Sequence, residues 1–468
     1  MVRSVAAVAS GPDLSKRPEW TKAPPSQVHR LAFRDLWRFF WKQPPSFWLV
    51  CAYVFFEYVR PQAIYSAIEG WPLPFFTIMA CGVACVLERA RMRRLMIIDG
   101  LLLLFTAIVF ASSVTAWEPL YSFENWKAYY PWVIIFYLIT HAVDNERKFV
   151  VFMLLYFLWC LKMSQFGTRT MIERGFSFAS WGLTCAPEFF HNSGECGIQL
   201  AMFVPASLYF LIGVWGYATR GAKALLILMP STAALSIIGS SSRGAQLALA
   251  ALLMWAALRS RAPFKAMLIT AISAAVLYSV LPEEQKDRFR QMGTDETSLT
   301  RRQYWSDGIK IMNDYPVLGI GFQNWLPYYK THYNPWGQLP HNIFVEAGAE
   351  LGYTGLIAFI LLIVATFVVN HRTRRIAKRL PRGSLLYNMA HGLDGALIGY
   401  LVAGFFVTVL YYPFFWINLA MTTVLHNVTL KTAREVRSRG QVQQVRRLSP
   451  GPRVPPHAAA VILPDHAH

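Results

Sequence analysis

Charge is scarce in this chain, and acid is scarcer than base. Only 15% of its 468 residues are charged, where a soluble domain carries about a quarter. That shortfall excludes an ordinary soluble globular domain. Cysteine is thin as well: six residues, with no metal-ligand spacing among them. Cys51, Cys81, Cys85 and Cys160 fall in apolar blocks and read as small apolar fillers. Cys185 and Cys196 lie in or beside one loop and are able to pair in an oxidising compartment. No cleavable signal pattern opens the chain, so the first apolar block is expected to act as an uncleaved anchor. No internal repeat is evident. Gly319 and Gly321 lack the strand and helix context of a dinucleotide fold.

Apolar residues are what the sequence has in quantity. They make up 54% of the chain, with 15% aromatic, and the mean hydropathy is +0.32. They come in blocks near the length, about 20 residues, that carries a helix across the hydrocarbon of a membrane. Blocks near 44–58, 73–88, 97–115, 129–142, 149–166, 195–216, 224–239, 244–259, 264–281, 343–370, 388–410 and 412–428 predict twelve spans. The expected fold is an all-α integral membrane protein, because helices satisfy their own backbone in lipid. Tyr411–Phe415 leaves little room for a turn between the last two blocks.

A net charge of +19 raises the possibility of nucleic acid, but its distribution argues for a membrane. Arginines and lysines fill short runs between apolar blocks, such as Arg89, Arg91, Arg93 and Arg94, and then Arg372, Arg374, Arg375, Lys378 and Arg379. Cytoplasmic loops have this composition. Orientation follows. Residues 1–43 form a cytoplasmic segment, 44–281 carry nine spans, and 282–342 form one large periplasmic loop. Residues 343–428 carry three more spans, and 429–468 form a basic cytoplasmic tail whose proline-rich end predicts disorder.

Arginines on the far side break this rule, so they are informative. Arg243 sits in the tight outer turn Gly239-Ser-Ser-Ser-Arg-Gly-Ala245. Near hydrocarbon an arginine costs up to roughly 2.5–3.5 kcal/mol, so an anion is expected beside it. The serines are natural caps for the helix that follows, whose N-terminus favours anions. The competing reading is a snorkelling arginine bound to a lipid phosphate or to Glu195. His341, in Pro340-His-Asn342 before the tenth block, is placed to accept a proton or to be an ordinary interfacial histidine. Arg60, Arg301 and Arg302 fall on the same side. Together they suit a lipid-linked phosphate or diphosphate. Asp287, Asp295, Glu296 and Asp307 are scattered and read as solvated charges, which favours a metal-independent reaction with no cofactor. Glu346 and Glu350 lie one turn apart and read as structural or substrate-positioning.

Several motifs together resemble the O-antigen ligase family of bacterial membrane glycosyltransferases, which includes O-antigen polymerases. They are Ser-Ser-Arg-Gly-Ala at 241–245, Arg301-x-x-x-Trp305, Pro316-x-Leu-Gly-x-Gly-Phe322 and His341-Asn-x-Phe-Val-Glu-x-x-x-Glu350-Leu-Gly-Tyr-x-Gly355. Tyr58-Val-Arg-Pro-Gln-Ala-Ile-Tyr65 with Gly70-Trp-Pro-Leu73 resembles a subgroup, the O-glycosylation ligases found with exosortase sorting systems. The acidic, asparagine-rich opening usual in that subgroup is only partly matched by His191-Asn-Ser-Gly-Glu195.

The resemblance implies transfer of a glycan from undecaprenyl diphosphate to an acceptor hydroxyl at the periplasmic face of the inner membrane. The acceptor would be a glycolipid, a protein or a saccharide. By motif, Arg243 and Arg301 would hold the diphosphate, with Arg302 as the alternative and Arg60 beside them. His341 would activate the acceptor or orient the donor. Direct attack at the anomeric carbon would invert its configuration, with a base contributing about 10²–10⁴-fold. Three rival readings remain: a repeat-unit polymerase, a flippase for lipid-linked sugars, and a non-catalytic assembly partner. The gathering of cations at one face, away from the midplane, argues against transport.

Overall fold

The computed structural model describes residues 33–448 apart from 89–92, 176–189, 191, 241, 261, 281–282 and 292. Helix accounts for 79% of the residues and no strand occurs among those described, so packing between helices makes the whole core. Each predicted apolar block forms one helix. These are α2 (Pro45–Tyr58), α3 (Leu73–Leu87), α4 (Ile97–Val114), α6 (Tyr130–Ala142), α7 (Glu146–Glu173), α8 (Ser193–Val214), α9 (Arg220–Gly239), α10 (Arg243–Leu258), α11 (Pro263–Val280), α15 (Ile343–Ala377), α16 (Ser384–Gly404) and α17 (Pro413–Leu448). Short helices fill the rest: α1 (Phe33–Trp41), α5 (Pro119–Glu124), α12 (Glu283–Arg290), α13 (Glu296–Asp314) and α14 (Trp325–His332). Five helices, α4, α7, α8, α9 and α15, are long and apolar enough to cross a membrane. The chain is a multi-pass membrane protein.

The most intimate pairing is between α8 and α16, and its cause is small residues. A Cβ at Gly399 would lie 2.8 Å from the Ala201 carbonyl oxygen, and one at Gly395 2.6 Å from Pro205 Cβ. Gly395-x-x-x-Gly399 therefore lets the two backbones meet, as membrane helices require when lipid offers no hydrophobic drive.

Three boundaries differ from the sequence expectation. The block at 388–410 stops as helix at Gly404, and residues 405–412 make the turn before α17. Phe405, Phe406 and Tyr411 are apolar enough to read as span, yet they wedge into the site described below. Helix α15 is interrupted at Gly352, with φ 69° and ψ −174°, a conformation open in practice only to glycine. The basic tail expected to follow the last span at 429 instead continues α17 to Leu448. Thr429 there is fully buried and Lys431 reaches Asp144 at 3.6 Å, so packing overrides the polar composition.

Loops sort into two groups by contact. At one end Trp117 N–H donates to Ile320 O at 2.8 Å, Ser122 Oγ to Phe322 O at 2.7 Å, and His341 N–H to Thr408 Oγ1 at 2.8 Å. At the other, Ser46 Oγ donates to Glu88 at 2.6 Å and the Arg147 guanidinium to Asp35 O at 3.2 Å. Segments 116–128, 240–243, 282–342 and 405–412 make the first group, and 59–72 shares a cavity with Lys127 beside them.

Candidate active site

Helix α10 begins at the turn that the sequence marks. Ser242 is extended and caps the helix, its hydroxyl accepting from Ala245 N–H at 3.4 Å, while its own N–H donates to Ser240 Oγ at 3.2 Å. Arg243, the first helical residue, grips Asp295 with both guanidinium nitrogens, at 2.9 and 2.7 Å. The anion expected beside Arg243 is thus Asp295. Glu195 instead sits in the first turn of α8, where its Oε1 accepts from the Asn192 amide at 2.9 Å. The carboxylate of Asp295 also accepts from Ser298 and is held well below the usual range, first by the Arg243 hydrogen bonds. Reading Asp295 as a solvated charge was incorrect, and so it was for Asp307. The latter is buried and accepts from Gln303, Lys310 and Tyr329. Ser298 is a local partner of Asp295, three residues on, whereas Arg243 comes into reach only when the start of α13 meets the start of α10.

Asp295 is the residue before α13, so the first turn of that helix starts against the first turn of α10. Six residues on, Arg301 points inward: its Nε is buried with no hydrogen-bond partner among the described residues. Burial, and then the neighbouring Arg243, pull its pKa below the ordinary guanidinium value. Arg302, one residue later, is exposed. Of the two, Arg301 is the residue turned toward the site.

His341 closes the arrangement. Its φ of 50° is left-handed, an uncommon state for a side chain of this size. Three contacts hold it there. The backbone N–H donates to Thr408, the Trp305 indole donates to Pro340 O at 3.0 Å, and Asn342 caps α15 by accepting from Phe344 N–H at 2.8 Å and Val345 N–H at 3.2 Å. Burial first, and then Arg301, press the imidazole pKa down to about 4. His341 is therefore neutral at physiological pH and free to accept a proton. Arg301 acts electrostatically on Arg243, Asp295 and His341 alike, so these four groups form one cluster.

Two guanidiniums against one carboxylate leave one positive charge uncompensated among the described residues. Such a cluster, at a helix N-terminus and beside a neutral base, can bind an anion and take a proton in the same place.

Residues 224–360 match the family model of O-antigen ligase. The match takes in Arg243, Asp295, Arg301, His341 and both glutamates. It supports the O-antigen ligase family and, with it, a membrane glycosyltransferase of ligase or polymerase type. No curated protein matches the chain.

Within the O-antigen ligase match, the glutamates and glycines build the joint that carries the site. Glu350 accepts from Gln323 N–H at 3.0 Å, Trp325 N–H at 3.2 Å and Tyr411 Oη at 3.0 Å. Glu346 accepts from Leu410 N–H at 3.2 Å. Both are buried and fasten the segment after Gly321 and the 405–412 turn onto α15. Gly319 (φ +65°) lies so close to α15 that a Cβ would come within 2.4 Å of the Glu350 carbonyl carbon. Ile320 and Gly321 donate to Ala349 O and Glu350 O at 2.9 and 3.0 Å. Gly-x-Gly here is a backbone joint.

Arg60 stands apart. It lines a cavity between α2, α3 and α6 whose walls include none of Arg243, Arg301 and His341, and it lies outside the O-antigen ligase match. Asp295 and Thr408 were missed from sequence. An Asp-x-x-Ser pattern at a helix start just ahead of Arg301 is the available signal for the first, and nothing points to the second. Cys196 is disulfide-bonded; Cys185 and His191 lie outside the described residues. Among the described residues no three His, Cys, Asp or Glu side chains are grouped to hold a metal ion.

Proposed function

We propose that the protein transfers a glycan from undecaprenyl diphosphate to an acceptor hydroxyl at the periplasmic face of the bacterial inner membrane, inverting the anomeric centre without a metal ion. The observation that carries this reading is Arg301: a guanidinium whose buried Nε has no hydrogen-bond partner among the described residues, between Arg243 and a neutral His341. A departing diphosphate concentrates negative charge, and fixed guanidiniums stabilise it there because they need no reorganisation. Asp295 occupies Arg243 until the diphosphate displaces it. His341 takes the proton of the acceptor hydroxyl as its oxygen attacks the anomeric carbon, and the C–O bond to the diphosphate breaks on the opposite side.

Twelve spans with both termini in the cytoplasm agree with the two groups of loops, and a disulfide at Cys196 suits an oxidising compartment. The segment from Tyr58 to Leu73 favours the exosortase-associated subgroup, and with it a protein acceptor, over lipid core or a second repeat unit.

The test is transfer from a lipid-linked donor by purified full-length protein. Arg243→Ala and Arg301→Ala each lower the rate by about 10²–10³-fold, and His341→Ala by about 10²–10⁴-fold, while each variant inserts at normal yield. Excess chelator leaves transfer intact. His341→Ala transferring at the wild-type rate removes the assigned base, and strong inhibition by chelator removes the metal-free step. Offering lipid core, protein and a second repeat unit as acceptors separates ligase from polymerase. A cysteine at position 242 that is labelled only from the cytosol overturns the periplasmic placement.

A further inference from the structure

The segment from Tyr58 to Leu73 does not reach the arginine cluster, yet its fold is specific. Arg60 is left-handed, with φ 47° and ψ 58°, although it precedes Pro61, where helical conformations of either hand are disfavoured. Such a state costs about 1–3 kcal/mol and persists where surrounding contacts demand it. The segment wraps one side of a cavity of about 620 Å³, and α6 with the residue Lys127 before it closes the other.

The chemistry of the lining is mixed in a particular way. Arg60 and Lys127 supply cations, Glu57 an acid, Gln62 an amide, and Trp71 and Tyr130 aromatic rings. Gln62 donates its amide N–H to Phe56 O at 3.1 Å, which leaves its Oε1 buried with no hydrogen-bond partner among the described residues. A buried acceptor left unmade costs about 1–3 kcal/mol, which a turn of the Gln62 amide toward a ligand hydroxyl would recover. Trp71 is 58% exposed, a large ring held at the rim with little protein against it. Two cations, an acid and an amide, with aromatic rings beside them and an apolar floor of Phe75, Ile78 and Met79, suit a pyranose. Its hydroxyls alternate as donor and acceptor around the ring, and its C–H face stacks on indole or phenol. A phosphate alone would have no use for Glu57 or for the aromatic faces.

We propose that this cavity is a second binding site, for the pyranose rings of a glycan, distinct from the diphosphate centre. It rests on the glycosyltransferase reading only in that a glycan must be present on this face. The wall itself ties the two places together. Trp132, another lining residue, donates its indole N–H to Tyr411 O at 2.7 Å, and Tyr411 donates to Glu350 at the joint beneath His341. A saccharide seated here would rest on a wall joined through Trp132 and Tyr411 to the support of the reacting centre, and would hold a long substrate while its end is transferred.

The test uses full-length protein in lipid nanodiscs over a printed array of lipid-A core and surface-polysaccharide repeat-unit oligosaccharides. Wild-type protein is expected to retain at least one of them. Trp71→Ala and Lys127→Ala, both at exposed positions that leave the core intact, are expected to weaken that binding about tenfold, the cost of one lost stacking or charge contact. Arg301→Ala is expected to bind as wild type. No retained glycan, or equal retention by both rim variants, overturns the site. In the transfer assay Trp71→Ala should raise KM for one substrate and leave kcat unchanged, and the substrate affected tells donor glycan from acceptor glycan. The two readings fail separately. Glycan binding lost in Trp71→Ala, with no effect of Arg301→Ala on transfer, sinks the diphosphate centre and keeps the cavity. The reverse pattern sinks the cavity alone.

Discussion

His341 should titrate far below an ordinary histidine, and the size and order of its two causes can be checked separately. Its pKa stands at about 4 against a reference of 6.5, through burial first and Arg301 second. That gap amounts to roughly 3 kcal/mol against the imidazolium. Since the shift is downward, the neutral form persists as the pH falls through 6.5 and protonation completes only below about 4. Arg301→Gln removes the smaller cause and keeps the larger, so the pKa should rise yet remain below 6.5. An anion seated on the two arginines acts in the same direction. The acid limb of kcat/KM, which reports the free enzyme, should therefore lie lower than the limb of kcat, which reports the complex. The direct assay is the ¹³Cε1 shift of labelled histidine in detergent-solubilised protein, with His341→Gln to assign its signal among 11 histidines. A wild-type midpoint near 6.5 refutes the burial argument. A midpoint that Arg301→Gln leaves unmoved refutes the closeness of the two side chains.

Other consequences test the supports of the site. Asp295→Ala strips Arg243 of a two-point, partly exposed pair and should lower stability by about 1–2 kcal/mol, after allowance for solvent screening. Because the Asp295 pKa is depressed, that contribution is full above about pH 4 and fades as the pH falls further; an unchanged melting temperature at neutral pH counts against it. Gly319→Ala forces a left-handed Cβ into the α15 backbone and should cost at least about 1–3 kcal/mol, read as a lower midpoint of thermal unfolding. Glu350→Gln puts an amide where three donors converge and should cost about 2–4 kcal/mol. Transfer per folded molecule should survive that change, whereas a selective loss of kcat at unchanged stability would make Glu350 a catalytic group.

How much was legible in the sequence depends on the range of the physics involved. Helices were legible because each apolar block satisfies its own backbone locally, and all twelve blocks coincide with helices. Arg243 was legible because it violates a charge rule, which marks a need without naming the partner. Asp295 lies 52 residues away, and no local pattern spans that distance. The sequence groups Arg60 with the other arginines because the charge rule puts all of them on one face of the bundle. A face of a dozen helices, each about 10 Å across, is much wider than one site, so sharing it does not bring residues together.

The Arg301–Arg302 choice shows the limit most clearly. The two are chemically identical neighbours, and the motif fits either if the register shifts by one. On a helix, successive side chains point about 100° apart, so only one of the pair can face a given neighbour. Nothing in the sequence says which way α13 presents itself, because that depends on how the helix docks against α14, α15 and the first turn of α10. Helix α13 is seated on α14 and α15, with Gly308 against Val345 and Trp325, Asp307 held by Tyr329, and the Trp305 indole on Pro340 O. Arg301 turns toward His341 with its Nε buried, while Arg302 turns to solvent. Asp295 therefore pairs with one arginine while the seating of α13 aims the other, and a change that loosens that seating, such as Trp305→Ala, should weaken diphosphate binding through Arg301 while leaving the Arg243–Asp295 pair in place.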